Sequence, residues 1–512
     1  MRLETQYANF LKPDFKPNKT WWNPVNQGGD PSRNPNNRGL ESPHSCKISL
    51  PMSLPFQNTY AKLPDSFFQR VSPTPVRDPH LIVLNTPLAH RLGIAPADLT
   101  ISVLSGNEIP AGADPLSMAY SGHQFGGFSP VLGDGRAILL GEVSGKDIQL
   151  KGSGPTPYSR RGDGRSALGP VLREYLVSEA MSALGVPTTR ALAAVSSGEQ
   201  VVREELEPGG IFTRVASSHL RIGTAQYFAA QQDLESLETL VDYTIERHYP
   251  DAETALDVLE RIIAKQAQLM AHWMSLGFIH GVMNTDNMSL SGETIDYGPC
   301  AFMDRFDPAK KFSYIDQNGR YAYQNQPSIA HWNLTRLAEA LLPLIHDDSD
   351  QSVELAKEAL AKFPLLFKKA YHQKFSAKLG LPGRCDEALI QSLLDLMAEQ
   401  EADFTLVFRH LSGRAENLLA QFKNPAPVKT WLAHWRSSGL IDLALMKRSN
   451  PIFIPRNHRV EEVIEAGKQG DFEPFHRLHQ ILQRPFTEQP EASEFEKTPE
   501  PAEIVCATFC GT

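Results

Sequence analysis

The sequence predicts an α+β chain in two lobes: a small β-rich lobe carrying one helix, then a larger, mostly helical lobe entered through a polar loop. Three observations carry this. Short apolar runs with period-two alternation cluster between residues 137 and 215, whereas apolar residues three and four apart dominate beyond about 230. Between two of those helical stretches lies HGVMNTDNMSLSGETIDYGP (280–299), too rich in turn formers and carboxylates to be core.

Length and composition set outer limits. A chain of 512 residues exceeds what one core usually covers, so two lobes plus extensions are expected. With 41% hydrophobic and 21% charged residues it reads as an ordinary globular protein, and no apolar run approaches the roughly 18–20 residues of a membrane span. A net charge of -9 excludes a protein that coats nucleic acid, so any basic site must be local. The five cysteines, Cys46, Cys300, Cys385, Cys506 and Cys510, are too scattered for a disulfide framework and fit a reducing compartment. The expected location is cytoplasmic for a bacterial protein and mitochondrial for a eukaryotic one.

Residues 1–51 are expected to be a disordered extension, since Pro13, Pro17, Pro24, Pro31 and Pro35 among many Asn leave neither helical nor strand period. The β-rich lobe is expected over 52–245. In it, AILLGEV (137–143) and DIQLKGSG (147–154) form strands, with Ile148 and Leu150 on one face and Lys151 on the other. GPVLREYLVSEAMSALG (169–185) is a helix stopped by Gly185. ALAAV (191–195) and QVV (200–202), split at Ser197–Gly198, and IFTRV (211–215) complete the sheet. The helical lobe, 246–484, carries helices over 254–276, 329–345, 352–378 and 386–422, and the acidic tail 485–512 is expected to tether Cys506 and Cys510.

Transfer of a phosphoryl or nucleotidyl group needs cations and metal-holding oxygens around phosphates more than covalent chemistry. Lys151 ends a strand and Glu174 lies in the following helix, the order of the strand lysine and helix glutamate of protein kinases. His280 to Asn287 has the His-x6-Asn spacing of the kinase catalytic loop, and Asp296-Tyr297-Gly298 resembles its metal-binding Asp-Phe-Gly. Asn287 and Asp296 offer the hard oxygens Mg²⁺ requires. Val282 stands where the kinase base would be, leaving Asp286 as the nearest carboxylate. GDGR occurs at 133–136 and 162–165, and Arg214 and Arg221 are further phosphate candidates. No GxxxxGK[ST] string occurs, which excludes a Walker P-loop.

These residues lie in long, unusual strings: YSGHQFGGFSPVLGDGRAILLGE (120–142), LKGSGPTPYSRRGDGRSALGPVLREYLVSEAM (150–181), GVPTTRAL (185–192), RVASSHLRIG (214–223), HGVMNTDNMSL (280–290) and IDYGP (295–299). Through them the chain closely resembles the selenoprotein O (SelO) family of kinase-like protein adenylyltransferases, from about Met52 onward. The resemblance implies a bilobal, protein-kinase-like fold in which ATP binds inverted and AMP passes to Ser, Thr or Tyr hydroxyls of proteins. It implies nucleotide contacts at Gly133, Gly135, Arg136, Lys151, Asp163, Gly164, Arg214, Arg221 and Asp296. Glu174 is implied as the partner of Lys151, Asn287 and Asp296 as ligands of Mg²⁺ or Mn²⁺, and Asp286 as proton acceptor. A redox role near the C-terminus is implied for Cys510, with Cys506, Cys300 or no thiol as its partner. The other readings of the same residues are a conventional protein kinase and a nucleotide-binding scaffold without turnover.

Overall fold

The computed structural model describes residues 54–509 apart from 384, 385 and 414. The expected extension 1–51, together with Cys510, therefore lies outside the described residues. Among the described residues the first half carries ten strands: β1 (Phe68–Arg70), β2 (His80–Leu84), β3 (Leu116–Met118), β4 (Gly122–Gln124), β5 (Gly127–Ser129), β6 (Ala137–Val143), β7 (Lys146–Lys151), β8 (Ser166–Ala167), β9 (Arg190–Val202) and β10 (Leu206–Ala216). Eight of them form one sheet in the order β1-β3-β6-β7-β10-β9-β2, with β8 beside β10, while β4 and β5 make a separate hairpin.

The β6–β7 turn is Ser144–Gly145, both with positive φ, the two-residue geometry that matches strand twist. Alternation then sorts β7: Ile148 and Leu150 enter a core with Leu88, Leu92 and Val195, and Gln149 and Lys151 face the other way. The expected break at Ser197–Gly198 does not divide the strand. Gly198 takes φ +67, where a Cβ would sit 2.3 Å from the Asp78 carbonyl, so the chain bulges there and the ladder to β10 resumes on both sides. The hairpin turn falls at 203–205 instead.

The helix Leu168–Ala183 is covered on both sides. One side meets the sheet; the other packs Val171, Leu172 and Tyr175 against Val460, Val463, Ile464, Phe475 and Leu478. Those residues belong to Asn457–Lys468 and Glu473–Leu482, so the end of the helical half returns to clamp the helix of the β-rich half.

Helices Ala255–Ser275, Gln326–Ile345 and Ser349–Lys378 agree with the apolar periodicity. The helix expected over 386–422 is instead three, Glu387–Gln400, Phe404–Leu411 and Ala415–Ala420. Glu401 turns left-handed at φ 56, and Asp403 caps the second helix by accepting from Leu406 N while pairing with Arg456. The tail is docked rather than a solvated tether. Ala492 is buried, Phe495 lies beneath Arg459 and Arg477, and Thr508 donates from N to Phe312 O (2.8 Å) and from Oγ1 to Pro299 O (2.6 Å). Among the described residues no helix is long and apolar enough to cross a membrane.

Candidate active site

The site begins at the end of β7. Lys151 Nζ donates to Glu174 Oε2 and to Asp296 Oδ1, each at 2.5 Å, joining the sheet, the clamped helix and the loop from the helical half. The two partners come 23 and 145 residues after the lysine, so only the fold makes them neighbours. Arg214, paired in register with Gln149 across β7 and β10, puts Nη1 3.2 Å from Glu174 Oε1 and Nη2 2.6 Å from Gln149 Oε1. Gln149 in turn donates to Asp134 Oδ2 (3.0 Å), and Asp134 Oδ1 accepts from Arg221 (3.3 Å), whose guanidinium lies 4.3 Å over the Tyr120 ring. One polar chain thus runs from the half-buried Asp296 to the buried Arg221.

The loop that follows Phe278–Ile279 supplies the opposite wall. His280 does not face the cleft: it is fully buried, stacked on Trp273, with Nε2 2.9 Å from Ile295 O, and so braces the loop. Asn287 donates from Nδ2 to Val282 O (3.0 Å), which turns its carbonyl oxygen elsewhere. Asp296 adopts φ 71, a left-handed conformation that non-glycine residues rarely take and that here presents its carboxylate to Lys151. Burial pushes that carboxyl up, but Lys151, Arg214 and Arg136 outweigh burial and hold it well below the usual carboxylate range. Asp286 is the opposite case. Burial pushes it up to about 6 against the weaker pull of Arg221 and Gln124, and its Oδ1 is buried without a hydrogen-bond partner.

Between these walls lies a cleft of about 660 Å³ lined by eight arginine and lysine side chains against four carboxylates. In a chain of net charge -9 this basic site is local, the only form composition allowed for one. Gly133, Gly135, Arg136, Lys151, Asp163, Gly164, Arg214, Arg221, Asp286, Asn287 and Asp296 all line it. Glu174 borders an adjoining cavity of about 250 Å³ that shares Arg136, Lys151, Asp286, Asn287 and Asp296. Two glycines have a steric reason as well: a Cβ on Gly133 (φ +62) would lie 2.2 Å from the Tyr158 ring, and on Gly164 (φ +65) 2.1 Å from the Gly154 backbone. Asp163 is held by Arg203 at 3.0 Å at the mouth. Cys506 is exposed and Cys300 buried.

Sequence reasoning missed Asp134, Gln149, Gln124 and Tyr158. Asp134 sits inside the first GDGR string and Gln149 lies two residues before Lys151 on the same strand face, so both carried a signal; Gln124 and Tyr158 carried none.

Among the described residues no three His, Cys, Asp or Glu side chains form a ready cage for a metal. The donor set nevertheless fits Mg²⁺, which keeps few protein ligands and borrows phosphate oxygens. The Asn287 carbonyl oxygen and the Asp296 oxygen not engaged by Lys151 are hard, and both residues line the cationic cleft.

The sequence profile described as "Protein adenylyltransferase SelO" matches residues 51–483. A Bradyrhizobium protein called "Protein nucleotidyltransferase YdiU" is 55% identical over 492 residues, covering 90% of this chain and 100% of its own. Proteins of the same description from Rhodopseudomonas palustris (54% over 491 residues, 90% and 100%) and Rhizobium meliloti (54% over 485 residues, 89% and 99%) are similar in extent.

Proposed function

This chain belongs to the SelO family of protein adenylyltransferases, an enzyme family, and on that premise we propose that it transfers AMP from ATP to Ser, Thr or Tyr hydroxyls of other proteins. The observation that carries the reading is the convergence of Lys151, Asn287 and Asp296, from two halves of the chain, on one cationic cleft that also holds a partly desolvated carboxylate at Asp286.

In this reading the fold is a kinase-like pair of lobes with ATP between them. Lys151, Arg136, Arg214 and Arg221 neutralise phosphate oxygens, and Glu174 keeps Lys151 extended toward them. Asn287 and Asp296 would hold Mg²⁺, which when bound would supply further charge neutralisation on the triphosphate. Asp286 takes the proton of the acceptor hydroxyl, whose oxygen bonds to the α-phosphorus as pyrophosphate departs. Val282, buried where a kinase would place its base, argues against ordinary phosphoryl transfer. The exposed Cys506 keeps a redox response within the proposal, to be read as a change of rate with reductant.

ATP labelled separately at the α and γ positions decides the matter. Label from the α-phosphate alone is expected on protein. Label from γ alone means a kinase, and label from neither, with ATP still bound, means a silent scaffold.

A further inference from the structure

The HQF segment (123–125) at the tip of the β4–β5 hairpin grips the loop that carries Asp286. Three consecutive hairpin residues engage three consecutive loop residues. His123 N donates to Thr285 Oγ1 (2.7 Å), Phe125 N to Asn284 Oδ1 (3.1 Å), and Gln124 Nε2 to Asp286 Oδ2 (3.3 Å). The grip is closed from behind: Thr285 Oγ1 donates to Gln226 Oε1 (2.6 Å), Gln226 Nε2 meets His123 Nδ1 (2.8 Å), and the Tyr321 hydroxyl donates to Asn284 Oδ1 (2.6 Å). The His123 ring rests against Phe128 and Trp332.

The two oxygens of Asp286 are thereby made unequal. Oδ2 has Gln124; Oδ1 is buried without a partner. A Cβ at Gly122 would lie 2.6 Å from that same Oδ1 and 3.1 Å from the Asp286 Cβ, so the absence of a side chain there is what leaves Oδ1 its place. A carboxylate free to spin would present either oxygen, and the amide of Gln124 removes that freedom. A neutral donor suits the task, because a cation in its place would anchor the carboxylate but weaken it as a base.

We propose that Gln124 is a positioning residue for transfer: its amide on Oδ2, with the space Gly122 leaves for the buried Oδ1, fixes the rotation of the Asp286 carboxylate that receives the acceptor's proton. This rests on Asp286 being the proton acceptor. In the step so organised the acceptor O–H bond breaks and its proton goes to the Asp286 carboxylate. The oxygen's electrons form the new bond to the α-phosphorus, and the bond to the bridging oxygen breaks, sending its electron pair away with pyrophosphate.

The test uses the full chain with Gln124→Met, which keeps the side chain's length and removes its donor, and with Gly122→Ala. α-Labelled ATP with a bacterial lysate as acceptor gives kcat and the KM for ATP, calorimetry gives ATP affinity, and crystal structures give the Asp286 rotamer. For Gln124→Met, kcat is expected to fall at least ~10-fold, with KM and affinity for ATP within about twofold and a rotated Asp286 carboxylate. Gly122→Ala is expected to do the same by displacing Oδ1. Parent-like kcat in Gln124→Met overturns the proposal, and so does joint loss of kcat, ATP affinity and thermal stability, which marks a merely structural contact. If the parent itself transfers no α-label, the functional reading fails instead. The Asp286 rotamer in the Gln124→Met crystal then decides the positioning claim alone, an unmoved carboxylate overturning it.

Discussion

Two buried ionic clusters in this molecule are alike in composition and opposite in use. Toward the other end of β7, Arg247 meets Glu142 and Asp147, all with side chains at most 9% exposed. Every terminal nitrogen there is taken: Nη1 also reaches the Tyr243 hydroxyl (2.7 Å), and Nη2 reaches Asp147 Oδ1 (3.0 Å) and Ser217 O (2.5 Å). At the cleft, Lys151 is shared between Glu174 and Asp296 over a cationic cavity, and nearby Asp286 keeps an oxygen without a partner. Buried charge therefore does not mark a site by itself. A cationic cavity beside the charges does, because an enclosed, satisfied network has nothing left to offer a substrate.

The comparison breaks if the two clusters respond alike to mutation. Asp286→Asn and Asp296→Ala are expected to reduce α-label transfer by ~100-fold or more, with unfolding temperatures close to the parent's. Calorimetric unfolding beside the labelling assay checks this, and parent-like transfer by either variant undoes the assignment.

Arg247→Met is expected to do the reverse. It leaves two buried carboxylates without their cation, a loss of about 3–5 kcal/mol in denaturant unfolding. ATP affinity below the transition is expected to stay within about twofold. A folded Arg247→Met chain that no longer binds ATP would join the two clusters into one.

A third buried charge sharpens the contrast in the direction of stabilisation. Lys378 lies 4.3 Å from the Phe408 ring, and burial pushes its amine down to about 7. The unfolded chain holds that proton up to about pH 10, so stability contributed at this position rises with pH between roughly 7 and 10 and is lost toward and below 7. Lys378→Met is expected to add about 1–2 kcal/mol at pH 7 and less at pH 10, measured by denaturant unfolding at both values. An equal gain at both pH values would assign it to packing alone.

The smallest effect expected is on pH dependence. Asp286 must be ionised to accept a proton, so transfer should rise as pH passes upward through about 6 and level above it. A profile still flat down to about pH 5 would separate the carboxylate from the rate-limiting proton transfer.

Much of the site was legible because each element announces its own residue. Alternation in DIQLK placed Lys151 opposite Ile148 and Leu150, helical period placed Glu174 one element later, and polar spacing picked out Asn287 and Asp296. The errors have local causes. Gly198 looked like a turn but is absorbed as a bulge, because β10 supplies hydrogen bonds on either side of it. Helix 386–422 looked continuous because apolar period does not register a left-handed Glu401 or an aspartate that both caps and pairs.

What the chain determined by itself is the order of its elements and the kind of side chain each presents, since period and turn chemistry act over a few residues. Only the tertiary structure decided which charges meet. Lys151 and Asp296 are 145 residues apart, Arg221 and Asp134 87 apart, and Gln124 and Asp286 162 apart. Which buried oxygen is left open follows from those distant contacts, because hydrogen bonding is satisfied through space and leaves no period along the sequence.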